Sequence, residues 1–367
     1  MIDVLVVGGG PVGLATAINC TLAGLSVTVA EPRTAPIDKA CGEGVMPAAV
    51  RRLAVLGVTP EGRPLRGIRY LDAVHRADAP FRHGNGLGVR RTVLHAALTA
   101  RAAALGIPVI PARVTGFERR AGHVTAAGVE ARYLVAADGL HSTIRRVLER
   151  ETPGRPGRPP RFPAPRYALR QHYRLAPWTD LVEVHWTPRA EAYVTPVADG
   201  LVGVALLFAR LPRDATAEAV ADGEGTPGAA GGEFAARLAA FPALYDRLGG
   251  APPASQVRGA GPMHQEVRRR VYGRVLLAGD ASGYLDALTG EGIGVGLAQA
   301  EAAAGCLAAG RPADYERAWR RVSGPAWRFT AGLLWSRNQP FLGPRIVPAA
   351  HRVPWLFAAL VNHAAQA

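Results

Sequence analysis

The chain has 367 residues, 49% of them hydrophobic and 20% charged, with a formal net charge of +14. That length exceeds what one small core serves, and the apolar content excludes a disordered chain. Of 43 basic residues only Lys39 is a lysine; the arginines are dispersed, and no nucleic-acid-binding motif accompanies them, so nucleic acid is not an expected partner.

Cys20, Cys41 and Cys306 make no disulfide framework, which fits a reducing cytoplasm. The start, MIDVLVVGGG, has no basic stretch before its apolar run and does not read as a signal peptide. No segment reaches the length of a membrane span. A cytoplasmic protein, soluble or peripheral, is expected.

Val4 to Val7 form an apolar run of the kind a buried parallel strand shows. Gly8, Gly9, Gly10, Pro11, Val12 and Gly13 follow and fit G-x-G-x-x-G. A helical pattern runs from Leu14 to about Ala23, and a second strand from Ser26 to Ala30 ends at Glu31. This is a βαβ start that binds a dinucleotide. Gly8 permits the tight turn, Gly10 lets the backbone approach a pyrophosphate, and Gly13 lets the helix pack on the strand. The helix N-terminus offers unpaired N–H groups to the phosphates. Glu31, eighteen residues after Gly13, can accept hydrogen bonds from ribose hydroxyls.

The stretch DKACGEGVMP, residues 38–47, follows, then a helix from Pro47 to about Leu56. Arg91 opens a further helical pattern, RTVLHAALTARAAALG. An apolar strand then runs into Asp138-Gly139, with Ser142 and Arg145 downstream, and another runs into Gly279-Asp280. A second glycine-rich turn, Gly290-Glu291-Gly292, opens a helix of small residues.

With G-x-G-x-x-G, Asp138-Gly139 and Gly279-Asp280 in that order, the chain resembles the large family of FAD-dependent oxidoreductases. That family includes aromatic hydroxylases of the p-hydroxybenzoate hydroxylase type and geranylgeranyl reductases. The resemblance implies a Rossmann-like FAD-binding domain, an α/β fold with an inserted α+β lobe whose antiparallel sheet roofs the flavin, and a helical C-terminus. It implies that Asp280 binds a ribityl hydroxyl and that the helix from Gly292 points its N-terminus at the flavin pyrimidine edge. Asp138 and Gly139 would lie near the pyrophosphate, beside a groove used by NAD(P)H, and Arg91 would reach the phosphates or ribityl chain. Arg33, Val114, Gly279, Gly290 and Ile293 complete the implied cofactor set.

Residues 38–47 would run beside the flavin ring. There a Cys-Gly-x-Gly loop looks like the geranylgeranyl reductase branch, and Cys41 is the candidate catalytic residue, as proton donor or substrate contact. Lys39 and Glu43 are polar groups at the loop's ends. Relatives carry a proline where this chain has Ala287 in DALTGEGI, and EAYVTPVADGLVGVAL keeps only the outline of a lipid-binding motif.

Residues 1–63, 90–160 and 259–310 are expected to build the FAD domain, 64–89 and 166–258 the substrate lobe, and 311–367 a C-terminal helical closure of the FAD domain. The lobe is read as strands, with Asp199-Gly200 a hairpin turn and His172, His185, Trp186 and Tyr193 as candidate pocket liners. Residues 151–165 read as a Pro/Gly/Arg connector and 211–235 as a long surface loop. Arginine and tryptophan alternate with apolar residues near the C-terminus, a pattern that also suits contact with a membrane surface. Scattered His and Cys give no metal site.

The function read from this is an NAD(P)H-dependent monooxygenase of an apolar or aromatic small molecule. Two alternatives stay open: alkene reduction as in geranylgeranyl reductases, and a flavoprotein maturation factor acting on a protein partner.

Overall fold

A computed structural model describes residues 1–151, 165–209 and 227–366. In chain order the first elements are β1 (Ile2–Val7), α1 (Pro11–Leu22), β2 (Val27–Ala30), α2 (Pro47–Val55), β3 (Gly67–Leu71), β4 (Arg76–Pro80), α3 (Arg91–Ala104), β5 (Val109–Ile110), β6 (Val129–Ala136) and α4 (Thr143–Glu151). They continue with β7 (Arg166–Arg174), β8 (Leu181–Trp186), β9 (Ala190–Ala198), β10 (Leu201–Ala209), α5 (Pro227–Leu238), α6 (Pro242–Leu248), β11 (Arg258–Ala260) and β12 (Val275–Leu277). Helices α7 (Gly292–Ala308), α8 (Tyr315–Asn338), α9 (Ile346–Arg352) and α10 (Pro354–Ala364) end the chain.

The first sheet has a parallel heart in the order β12-β6-β1-β2-β5. Its strands are covered on both faces, which is why β1 and β2 read as unbroken apolar runs. The register decides where function sits. Val7 pairs with Ala136 and Ala30, and Ala136 pairs with Leu277, so four strands end at one level. The glycine turn after β1, the Asp138 turn after β6 and the Asp280 turn after β12 therefore emerge side by side at the carboxyl edge, where such sheets bind ligands.

The second sheet runs β11-β7-β10-β9-β8-β3-β4. The expected hairpin is present, joining β9 to β10 through Asp199 and Gly200. The sheet is antiparallel except where β3 lies parallel to β8. β3 comes much earlier in the chain, which passes back through the first sheet before β8, a crossover long enough to allow parallel pairing. The sheet also continues past residue 258, because Arg258–Ala260 adds β11 against β7.

Two further expectations are corrected. Residues 227–235, read as loop, form the first part of α5. Ala230, Phe234 and Leu238, four apart, bury on the sheet beside Val204 and Phe208 and hold the helix despite its glycines. The rest of that stretch and nearly all of the 151–165 connector lie outside the described residues.

The C-terminal helices do not all close the FAD domain. α8 packs on α7, but α9 and α10 cover β4, the edge of the lobe sheet. Asn362 donates to the Pro80 carbonyl at 2.9 Å and accepts from the Arg82 N–H at 2.8 Å, so the exposed backbone of an edge strand is partnered. Among the described residues no helix is long and apolar enough to cross a membrane, and no cluster of metal-ligating side chains occurs.

Candidate cofactor and substrate site

The cradle at the end of β1 is shaped by what a side chain would strike. Gly8 has φ +102°, and a β-carbon there would stand 2.5 Å from the Ala137 carbonyl oxygen. One on Gly13 would stand 1.8 Å from the Gly8 oxygen. Gly10 differs: the nearest atom to a β-carbon there is Arg91 Nη2 at 3.9 Å, so space is left over the N-terminus of α1. Pro11 takes the first turn of that helix, where a missing N–H costs nothing. Val12 fits against Gly279 and Gly296, whose β-carbons would lie 3.2 and 2.4 Å from its side chain. The small residues of α7 thus let it press on α1.

Two cations face this space. Lys39 and Arg91 retain some exposure but are ringed by protein, as groups lining a cleft are. Burial lowers both pKa values, while the charge of Asp280 pulls each back up. Neither head group has a hydrogen-bond partner among the described residues. Unpaired cations beside a helix N-terminus fit a pyrophosphate.

Glu31 stands where expected, at the end of β2, but its carboxylate is already engaged. It accepts from the Gly9 N–H at 2.8 Å, from the Arg33 N–H at 3.0 Å, and from the Arg33 guanidinium at 2.8 and 2.9 Å. Arg33, a predicted cofactor contact, is thus its ion-pair partner, with a side chain 52% exposed. Asp138 caps α4, accepting from the Thr143 N–H at 2.8 Å, while its other oxygen is buried without a partner. Gly139, at φ +83°, keeps room for Lys39. Arg145 ties the two aspartate turns together, donating to the Leu140 carbonyl at 2.7 Å and toward the Asp280 carbonyl at 3.4 Å. Val114 packs in the core with Val7 and Ala30.

The loop after β2 faces the loop before α7. A β-carbon on Gly290, at φ +69°, would sit 3.6 Å from Met46 Cε, and one on Gly292 would sit 3.6 Å from the Tyr284 ring. Ile293 packs behind them on the core. Ala287, where proline was expected, accepts the Gly290 N–H at 3.0 Å and so starts this turn. Cys41 is a thiol held by burial, which raises its pKa against the opposing charge of Arg91. It accepts the Glu43 N–H at 3.4 Å.

The lobe liners separate. Tyr193 donates to the Leu288 carbonyl at 2.7 Å, fixing the sheet over the second loop. His172 is fully buried against Glu43. His185 and Trp186 line a cavity of about 1180 Å³ that also touches Met263, Leu285, Asp286, Phe208 and Leu334. Its ionic groups are largely paired: Arg166 with Glu191 and Asp286, Arg337 with Glu191, His75 with Asp72.

Several residues carry weight that sequence reasoning did not assign. His95 holds the Gly9 carbonyl at 2.8 Å from one turn beyond Arg91. Gln299 accepts the Gly279 N–H at 2.7 Å and thereby positions the turn before Asp280. Glu291 is 5% exposed and opens α7; burial pushes its carboxyl up to about 7, with the Thr289 hydroxyl pulling the other way. Spacing on a shared helix signals His95, whereas Gln299 and Glu291 look like ordinary helix residues until packing is known.

Residues 1–158 match the FAD binding domain family. The chain is 28% identical to the rifampicin monooxygenase of Streptomyces venezuelae over 321 residues, 82% of this chain and 62% of that one. It is 29% identical to the menaquinone reductase of Mycolicibacterium smegmatis over 350 residues, 86% of this chain and 79% of the other. The fold matches the flavin-dependent brominase Bmp2 with a TM-score of 0.77 at 18% identity, over 100% of this chain and 93% of that one. The chain thus spans less than two thirds of the rifampicin monooxygenase's length. A cradle shaped by close-packed glycines, with unpaired cations aimed into it, fits FAD; residues 1–158 are an FAD binding domain, and the chain resembles the FAD-dependent oxidoreductases of the p-hydroxybenzoate hydroxylase superfamily.

Proposed function

We propose that the protein is an NAD(P)H-dependent monooxygenase of a bulky, largely apolar aromatic molecule. The overall change is RH + O2 + NAD(P)H + H+ → ROH + H2O + NAD(P)+. Bound FAD supplies the electron transfer and the reaction with O2. The protein's own groups bind, orient and exclude water. Lys39, Arg91 and the N-terminus of α1 hold the pyrophosphate, and Asp280 and the N-terminus of α7 face the flavin end. The lobe sheet, anchored through Tyr193 and Leu288, closes the site from water.

The observation that carries the substrate class is the cavity. At about 1180 Å³ it exceeds the ordinary range for drug-sized ligands, roughly 300–1,000 Å³. Its aromatic and aliphatic walls, with their charges mostly paired, suit a polycyclic neutral molecule. The cavity borders Leu285 and Asp286, five and six residues past Asp280. An apolar cavity of this size argues against a maturation factor that works only on a protein surface. The test is NAD(P)H-driven turnover of fused-ring phenols and quinones under 18O2. One 18O atom in the product supports the reading; NAD(P)H consumption that yields only hydrogen peroxide for every substrate overturns it.

Reduction of a substrate C=C bond is the second reading. It is favoured by the Cys41-Gly42-Glu43-Gly44 loop and by the 29% identity to a menaquinone reductase. Anaerobic turnover with loss of the double bond selects it over oxygenation.

A further inference from the structure

Glu43 and His172 form a buried acid–imidazole pair between the loop that carries Cys41 and the lobe sheet. Glu43 Oε2 lies 2.6 Å from His172 Nε2, and each side chain is 1% exposed. A pair this deep loses its hydration on both sides, and well-packed apolar residues would serve stability as well or better. The backbone is strained to make it: Glu43 has φ +60°, a region that side-chain-bearing residues rarely adopt and that recurs at functional sites. Gly203 of β10 leaves the room, because a β-carbon there would stand 3.0 Å from Glu43 Oε2.

The pair continues outward. His172 Nδ1 lies 2.9 Å from the Ser255 hydroxyl and 3.2 Å from Arg170 Nη1. Arginine can only donate, so Nδ1 is the acceptor and the ring proton is on Nε2, facing Glu43. Ser255 accepts the His172 backbone N–H at 3.1 Å, which leaves its own proton for Nδ1. Ser255 is only half-buried and meets solvent. At the inner end Glu43 accepts the Arg91 N–H at 2.8 Å, and its own N–H donates to Cys41 Sγ. The charged groups around the path are Arg170, which pairs with Asp38; Arg258, also on Asp38; and Lys39, Arg91 and the Cys41 thiol on the cofactor side.

We propose that Ser255, His172 and Glu43 conduct protons between solvent and the flavin-facing loop. The proposal rests on the assignment of this site to a flavin reaction. In each transfer Glu43 takes the Nε2 proton as Nδ1 takes the Ser255 hydroxyl proton, water reprotonates Ser255, and Glu43 would pass its proton on to the anion that the flavin reaction leaves on the cofactor side of the loop. Ring reorientation resets the path, and no electron moves.

The test is anaerobic photoreduction of the FAD-loaded protein with proton uptake followed by an indicator dye. Glu43→Gln and His172→Gln are expected to retain FAD and to slow proton uptake by about tenfold or more, with a larger solvent deuterium effect. In His172→Gly, added imidazole is expected to restore the rate, which a purely structural role would not allow. Ser255→Ala leaves Glu43 on Arg91 and decides the matter where Glu43→Gln loses FAD. Parent-like uptake in every variant that holds FAD overturns the path. A parent protein that never retains FAD overturns the flavin reading, and the proposal with it, at the loading step. Failure of oxygenation alone leaves this measurement intact.

Discussion

Lys39 reaches Gly139: its Nζ stands 3.3 Å from the place a β-carbon on that glycine would occupy. The sole lysine of the chain thus spans from the loop after β2 to the turn after β6. Burial holds its pKa below the ordinary lysine value, with Asp280 opposing. A lowered lysine pKa means that the charged form costs folding stability at low pH. That cost fades as pH rises from the folded value toward the unfolded value of about 10.4. Lys39→Met removes the cost and the anion contact together. It is expected to stabilise the FAD-free protein and to weaken FAD roughly tenfold to a hundredfold, the worth of one charged hydrogen bond of about 1.5–3 kcal/mol. Thermal unfolding of the free protein and a flavin fluorescence titration read the two effects, and unchanged affinity would remove Lys39 from the cradle.

Gly13→Ala tests the cradle from the other side. The added carbon would meet the carbonyl oxygen of Gly8, which is held by its own N–H donating to the Ala30 carbonyl at 2.9 Å and by the strand just before it, paired on both edges. Overpacking of this kind costs about 1–3 kcal/mol or more. The variant is expected to unfold at lower temperature and to fail to hold FAD through gel filtration. Gly24→Ala, where a β-carbon would touch nothing within 4 Å but φ is +83°, controls for backbone strain without the clash.

The order of motifs was legible because each rests on local chemistry: a glycine turn, an acid after a strand, a second glycine turn. What brought them together was register, and the apolar patterns of β1, β6 and β12 carry no record of pairing partners. The Glu31–Arg33 pair and the placement of Lys39 were hidden for the same reason, since an acid two residues before an arginine reads as two solvated charges. The α5 helix was masked by its glycines, although Ala230, Phe234 and Leu238 hold a period of four. Glu43 was visible as a loop-end charge, but its partner lies 129 residues away on β7.

Glu291 gives a pH signature. Its carboxyl is raised from the ordinary value to about 7 by burial. With the folded pKa above the unfolded one, the native state binds more protons between the two, so stability falls as pH rises through about 4.3 to 7. The full loss is on the order of 3 kcal/mol by the worth of one pKa unit. Glu291→Gln is expected to match the parent near pH 4 and to exceed it at pH 8, as followed by denaturant midpoints of the FAD-free protein. Parallel pH curves for the two would show that Glu291 ionises freely.

The ionic group beside the cavity tests how the lobe is held to the helical segment. Glu191 on β9 is fully buried and meets Arg166 of β7 and Arg337 of α8, and Arg166 also donates to Asp286 at 3.1 Å. Burial raises the Asp286 carboxyl, and Arg166 beside it pulls the other way. Removing one partner strands the others without compensation, at a cost of about 3–5 kcal/mol. Arg166→Leu is therefore expected to lower stability severely. The double variant Arg166→Leu with Glu191→Leu recovers much of it, because it removes charge of both signs and leaves Arg337 and Asp286 to meet. Denaturant unfolding of the single and double variants measures the coupling. Additive losses would mean that the group is solvated and that the lobe and α8 are held by apolar contacts alone.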